Sequence, residues 1–109
     1  MSDQETKEYI LRVLREEFTA HGIELVTIIF FGSRSRGNAR PESDWDFIVV
    51  CKEQLDRKQK TDIWLSINRK LAEHRIDADI LIKNELDFER DKQDTGKVTY
   101  YAVKEGVAL

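Results

Sequence analysis

The sequence predicts an α/β (α+β) domain, a small mixed sheet of at least three strands flanked by helices, and three observations carry that prediction. Leu25 to Phe31 is an unbroken apolar run of strand length. Arg75 to Ile82 alternates in polarity and is rich in β-branched residues, which reads as a second kind of strand. Between and around them, Ser2 to Ala20 and Asp56 to Ala72 repeat their apolar residues at helical spacing. With 109 residues there is material for one modest core, so a single domain over residues 1–109 is expected. No repeat, low-complexity tract or linker divides it.

The first helix carries Ile10, Val13, Leu14 and Phe18 on one stripe. Ser2 with Glu5 forms a capping-box pattern at its start, and His21-Gly22 ends it. The run Leu25 to Phe31 is expected as a central strand covered on both faces. It leads into Gly32-Ser33, a basic loop, and a further strand through Ile48-Val49-Val50. Pro41, the only proline, stiffens the loop at a point where no ladder hydrogen bond is lost. The second long helix places Ile63, Ile67, Leu71 and Trp64 on its apolar side, with Trp64 expected in the core. Asp87 to Asp94 is expected helical, Gly96 breaks it, and Lys97 to Glu105 forms a last short helix that Gly106 caps.

Composition excludes several classes of function. A charged fraction of 36% beside 40% hydrophobic residues is that of a soluble globular chain. No apolar run approaches the roughly 20 residues a membrane helix needs, and the acidic start Met1 to Glu5 is unlike a secretory leader. A single cysteine, Cys51, fits a reducing cytoplasm and reads as a small apolar strand residue. Net charge −3 argues against gripping nucleic acid by bulk electrostatics. Arg34, Arg36 and Arg40 nevertheless gather in one loop, where guanidinium groups meet phosphate well, Arg36 being the best candidate.

The chemistry concentrates between Gly32 and Phe47. Gly32 has no Cβ, so a phosphate can approach the backbone, and Ser33 adds a hydroxyl where a helix start would offer free N–H groups. In an extended strand Asp44 and Asp46 project from one face, with Trp45 and Phe47 on the other. Two carboxylates so close raise one another's pKa unless a cation sits between them, and oxygen ligands of this kind suit Mg²⁺. Asp77 and Asp79 share one face of the later strand, and either could complete a three-carboxylate cluster able to hold two metal ions about 3.5–4 Å apart.

Gly32-Ser33, ten residues, then Asp44-Trp45-Asp46 resembles the signature of the DNA polymerase β-like nucleotidyltransferases. Gly-Ser-Arg-Ser-Arg-Gly with Ser-Asp-Trp-Asp-Phe is similar to their minimal nucleotidyltransferase (MNT) branch. The resemblance runs over most of the chain. Asp79, followed by Ile80, Leu81 and then Glu85-Leu86, matches the family's third-carboxylate strand better than Asp77 does, and Glu105-Gly106-Val107 resembles the tail of these short proteins. It implies that Asp44, Asp46 and Asp79 bind Mg²⁺ and are catalytic, and that Gly32 and Ser33 hold the β- and γ-phosphates of ATP, to which the basic loop adds Arg36 and Arg34 as candidates.

It also implies a partner. Related enzymes carry further helical domains for the acceptor, whereas about 23 residues follow Leu86 here. In the MNT branch a separate HEPN protein, commonly a ribonuclease toxin encoded nearby, accepts AMP on a tyrosine. Val98, Tyr100, Tyr101, Ala102, Val107 and Leu109 could face such a partner or cover this domain's own sheet. The competing readings are an antitoxin that acts by occlusion, and a small-molecule adenylyltransferase whose pocket a homo-oligomer completes. The Arg-x4–6-His pattern of HEPN ribonucleases occurs at both Arg15/His21 and Arg69/His74, so it discriminates nothing.

Overall fold

A computed structural model describes all residues, 1–109. Helix α1 (Asp3–Ala20) is followed by strand β1 (Leu25–Phe31), a short helix α2 (Gly32–Arg36), strand β2 (Trp45–Cys51) and helix α3 (Arg57–Glu73). Strand β3 (Ala78–Asn84), helices α4 (Glu85–Asp91) and α5 (Val98–Glu105), and a two-residue strand β4 (Val107–Ala108) complete the chain. The sheet order is β3-β2-β1-β4. β1 runs antiparallel to β2 and β4, and β2 runs parallel to β3, so the sheet is mixed.

The long helices begin where side chains can replace missing backbone partners. Ser2 Oγ accepts from the Glu5 amide at 3.1 Å while Glu5 accepts from the Ser2 amide at 3.0 Å. Asp56 and Gln59 repeat the same exchange at the start of α3. At the far end of α3 the Ile76 amide reaches Leu71 O and the Arg75 amide reaches Ala72 O, a Schellman closure with Arg75 at φ 55° in the left-handed position that usually holds glycine.

The sheet has two unequal faces. On one, α1 and α3 lie side by side, linked by a Tyr9 hydroxyl donating to Lys70 O at 3.1 Å and by a Lys70–Glu17 ion pair at 2.8 Å. Their apolar stripes meet Phe30, Trp45, Phe47 and Val49 in a core of 15 buried residues. On the other face α4 and α5 cover Ile29, Ile48 and Val50 with Phe88 and Ala102, a cluster of only 5. Both faces of β2 are therefore buried.

Several sequence expectations need correction. The strand sealed on both sides is β2, whereas β1, though flanked by β2 and β4, leaves Val26 exposed. Trp64 stands 45% exposed on the outer side of α3, because Ile63, Ile67 and Leu71 already fill the seam with the sheet. Gly106 does cap α5, its amide donating to Ala102 O at 2.8 Å, but without a left-handed turn. Its backbone is extended, and a Cβ there would strike Ala102 O and Phe30 O, so the missing side chain lets the chain cross closely onto β1 and add β4. α4 starts earlier than expected because the Asn84 side chain accepts from the Asp87 amide at 2.8 Å. No helix is long and apolar enough to cross a membrane.

Candidate functional site

The chain leaves β1 at Phe31 and turns at once into α2, so the stretch expected as a loop opens with a helical turn that Gly37, at φ 77°, terminates. Gly32 itself sits at φ 80°, and a Cβ on it would collide with the Asp46 carboxylate. Two independent constraints thus require glycine: the left-handed backbone and the acid packed over its α-carbon. The junction places the first amides of α2 beside Asp46.

Asp46 lies near the start of β2, and its register partner on the parallel neighbour β3 is Asp79. In-register residues of adjacent strands project from the same face, and Asp46 shares its parity with Ile48 and Val50, so both acids belong to the α4/α5 face. Asp44 precedes the strand and is exposed, while Asp77 accepts a hydrogen bond from the Trp45 amide at 3.0 Å through its backbone oxygen. Burial pushes the Asp46 carboxyl above its ordinary range, and the charges of Asp79 and Asp44 push it further, with Arg36 opposing them. Asp77 is not among the groups acting on it.

The acids have gathered at one end of the sheet without closing into a finished cluster: no three His, Cys, Asp or Glu side chains stand close enough to hold a metal ion as they are. The donor set nonetheless fits a hard divalent cation. It consists of carboxylate oxygens alone, and the mutual repulsion felt at Asp46 is what a bound cation relieves.

The two arginines nominated for phosphate part company. Arg36 is half exposed, lies near Asp46 and pairs with Glu105 on α5 at 3.5 Å. Arg34 turns the other way: its guanidinium stacks on the Trp45 ring at 4.5 Å, and Trp45 belongs to the α1/α3 core. There its Nε donates to Ser43 O at 3.0 Å and its Nη2 to Pro41 O at 3.2 Å. Ser33 is half-buried in α2, and Arg40 is exposed.

Residues 13–108 match the family described as Polymerase beta, Nucleotidyltransferase. The chain belongs to that family. Its fold is also that of solved toxin–antitoxin complexes. One, a toxin–antitoxin with AMP-PNP, gives a TM-score of 0.57 at 20% identity, covering 89% of this chain and 69% of that one. Another, a mutant of the MntA–HpeT toxin–antitoxin, gives 0.60 at 19% identity over 93% of this chain and 69% of that one. A third is a tri-AMPylated Shewanella oneidensis HEPN toxin in complex with an MNT antitoxin, at TM-score 0.57 and 19% identity over 98% and 71%. At these identities the neighbours show a shared fold. No curated protein matches the sequence.

What the sequence missed was the division of labour among Arg34, Arg36 and Glu105. One signal was present: Trp45 alternates with Asp46, so any group stacked on Trp45 lies behind the carboxylates.

Proposed function

We propose that this protein is a Mg²⁺-dependent nucleotidyltransferase that moves AMP from ATP to a hydroxyl acceptor, a tyrosine of a HEPN-type helical toxin, and so acts as an antitoxin. The observation that carries the reading is the in-register pair Asp46 and Asp79, with the Asp46 carboxylate lying over the left-handed Gly32 that opens α2.

Each residue then has a task. Gly32 and Ser33 offer the unpaired amides of the first turn of α2 to the β- and γ-phosphates, and Arg36, turned to this face, offsets their charge. Asp44, Asp46 and Asp79 would hold Mg²⁺, which when bound neutralises charge on the phosphates. The acceptor oxygen forms a bond to the α-phosphorus as the bond to the bridging oxygen breaks and pyrophosphate leaves. Asp79, on the open edge strand, takes the hydroxyl proton. No covalent enzyme intermediate is required, so the chain contributes position and electrostatics.

Exposed apolar side chains support a partner on this side: Leu86 on α4, Val98 and Tyr101 on α5, Val107 on β4, and Leu109 just beyond it. Incubation with labelled ATP, Mg²⁺ and the product of the adjoining reading frame is expected to label that product, and the Asp44→Asn/Asp46→Asn double variant to abolish the label while keeping the fold. Undiminished labelling by the double variant would refute the assignment. If that variant protects cells from the partner as well as wild type does, occlusion and not transfer carries the biology.

A further inference from the structure

We infer that Arg34 is a positioning residue that fixes Asp44 from behind the sheet, and that it does not bind phosphate. The inference rests on the proposed nucleotidyl transfer at Asp44, Asp46 and Asp79, and assigns one residue of that site a task of its own.

Asp44 needs such a device. Its neighbour Asp46 is held by the β2–β3 ladder, with Asp79 in register beside it, but Asp44 stands outside the strand, exposed, at the end of a segment running from Asn38 to Ser43 that contains no helix or strand. Only the peptide unit that follows it is tied to the neighbouring segment, through the Trp45 amide on Asp77 O, so the unit before it needs another anchor. Within that segment Arg40 to Ser43 forms a turn: the Ser43 amide donates to Arg40 O at 3.0 Å, and the Arg40 amide donates to Ser43 Oγ at 2.9 Å. Pro41 sets the second corner of the turn. The turn is stiff within itself but would be free to swing about its ends.

Arg34 is what ties it down. One guanidinium reaches three of the turn's four carbonyls, Ser43 O at 3.0 Å from Nε, and Pro41 O at 3.2 Å and Arg40 O at 3.4 Å from Nη2. Its Cζ lies over the Trp45 ring, 4.5 Å from the centroid, and its Nη1 meets Asp3 at 3.4 Å. The side chain is only 10% exposed. Asp44 is the single residue between Ser43, whose carbonyl the arginine holds, and Trp45, whose ring it covers. Fixing both neighbours fixes the peptide units on either side of Asp44, and hence the direction in which its carboxylate leaves the backbone.

The same contacts exclude the phosphate role. Trp45 and Phe47 face the α1/α3 core, whereas Asp46 faces the opposite side. A guanidinium stacked on Trp45 lies across the sheet from the Asp46 carboxylate, and its Nε and Nη2 already donate to backbone oxygens. A lysine could neither span three carbonyls nor stack as a plane, so the position calls for arginine in particular.

The test measures Arg34→Lys and Arg34→Ala against wild type. Manganese, as a paramagnetic stand-in for Mg²⁺, is titrated without nucleotide, backbone amide exchange is followed at residues 40–46, and transfer kinetics are taken with ATP varied. Both variants are expected to weaken manganese binding about tenfold and to speed exchange at Ser43 and Asp44. Turnover is expected to fall 10- to 100-fold with KM for ATP changed less than twofold. Arg34→Lys, which keeps charge and bulk, separates the role from general loss of fold: it is expected to keep the melting temperature near wild type while retaining the manganese defect. A raised KM for ATP with manganese binding and exchange unchanged would overturn the clamp and restore Arg34 as a phosphate ligand. Wild-type protein that transfers no AMP would sink the proposed function, yet the manganese and exchange measurements would still decide the clamp.

Discussion

The two faces of the sheet are built on opposite plans. The α1/α3 face buries 15 residues, all apolar apart from the weakly polar Cys51, in one continuous cluster. The α4/α5 face buries 5 and carries Asp46 and Asp79 at its open end. Burying charge is costly unless it is paired, so these acids lie on the face with the least core to disturb. Stability is stored on one side and chemistry is exposed on the other, with β2 contributing alternate residues to each. Arg34 and Arg36, two positions apart, divide in the same way.

The sharpest way to break this comparison is to exchange the effects of substitutions on the two faces. Asp46→Asn is expected to lower nucleotidyl transfer at least 1000-fold, about 4 kcal/mol of barrier, without lowering the melting temperature. Phe47→Ala, one residue along and fully buried on the other face, is expected to cost about 3–5 kcal/mol of stability, measured by urea denaturation. Should Asp46→Asn unfold the protein while Phe47→Ala leaves it intact, the two-face account fails.

Gly32 joins the faces, and Gly32→Ala is expected to damage both properties. The left-handed backbone alone costs about 1–2 kcal/mol for a residue with a Cβ, and the Asp46 carboxylate must also move. Stability and transfer should fall together, in contrast to the aspartate variant. Smaller still is Arg75→Gly, at the left-handed closure of α3. It is expected to raise stability by about 0.5–1 kcal/mol, read as an upward shift in melting temperature.

Acid titration distinguishes two carboxylates of opposite character. Asp46 has its pKa raised in the folded protein, first by burial and then by Asp79 and Asp44. Its protonated form is therefore favoured by folding, and its contribution to stability is lost as pH rises from the usual aspartate value through the raised one. Asp91 is the reverse. Its carboxyl is held low by hydrogen bonds from Lys83, at 2.7 Å, and from Arg90, so its contribution is present at neutral pH and is lost on acidification through its folded value. Asp46→Asn should therefore flatten the loss of stability on the rising side, and Asp91→Asn the loss on the falling side. Added Mg²⁺ is expected to mimic the first substitution only.

Much of this was legible in the sequence because strong local patterns and tertiary packing agreed. The capping box at Ser2, the apolar stripes of α1 and α3, and the β-branched alternation leading to Asp79 each pointed to one conformation. β3 sets Asp79 in register with Asp46, and its role as third carboxylate is a proposal. What was not legible depended on neighbours distant in sequence. β4 is two residues long and exists only because Gly106 can press against Phe30 and Phe31. Trp64 carries a core residue's hydrophobicity, yet the seam it would fill was already taken by Ile63 and Ile67. Arg34 and Arg36 look equivalent in a basic loop, and only the stacking on Trp45 sends one of them across the sheet.

The central claim is that Asp46 and Asp79, across two parallel strands, share a divalent cation. Manganese titration of wild type, Asp46→Asn, Asp79→Asn and Asp77→Asn tests it most directly. The account predicts that the Asp46 and Asp79 substitutions each abolish high-affinity binding while Asp77→Asn binds as wild type does. Loss of binding in Asp77→Asn with retention in Asp79→Asn would contradict it.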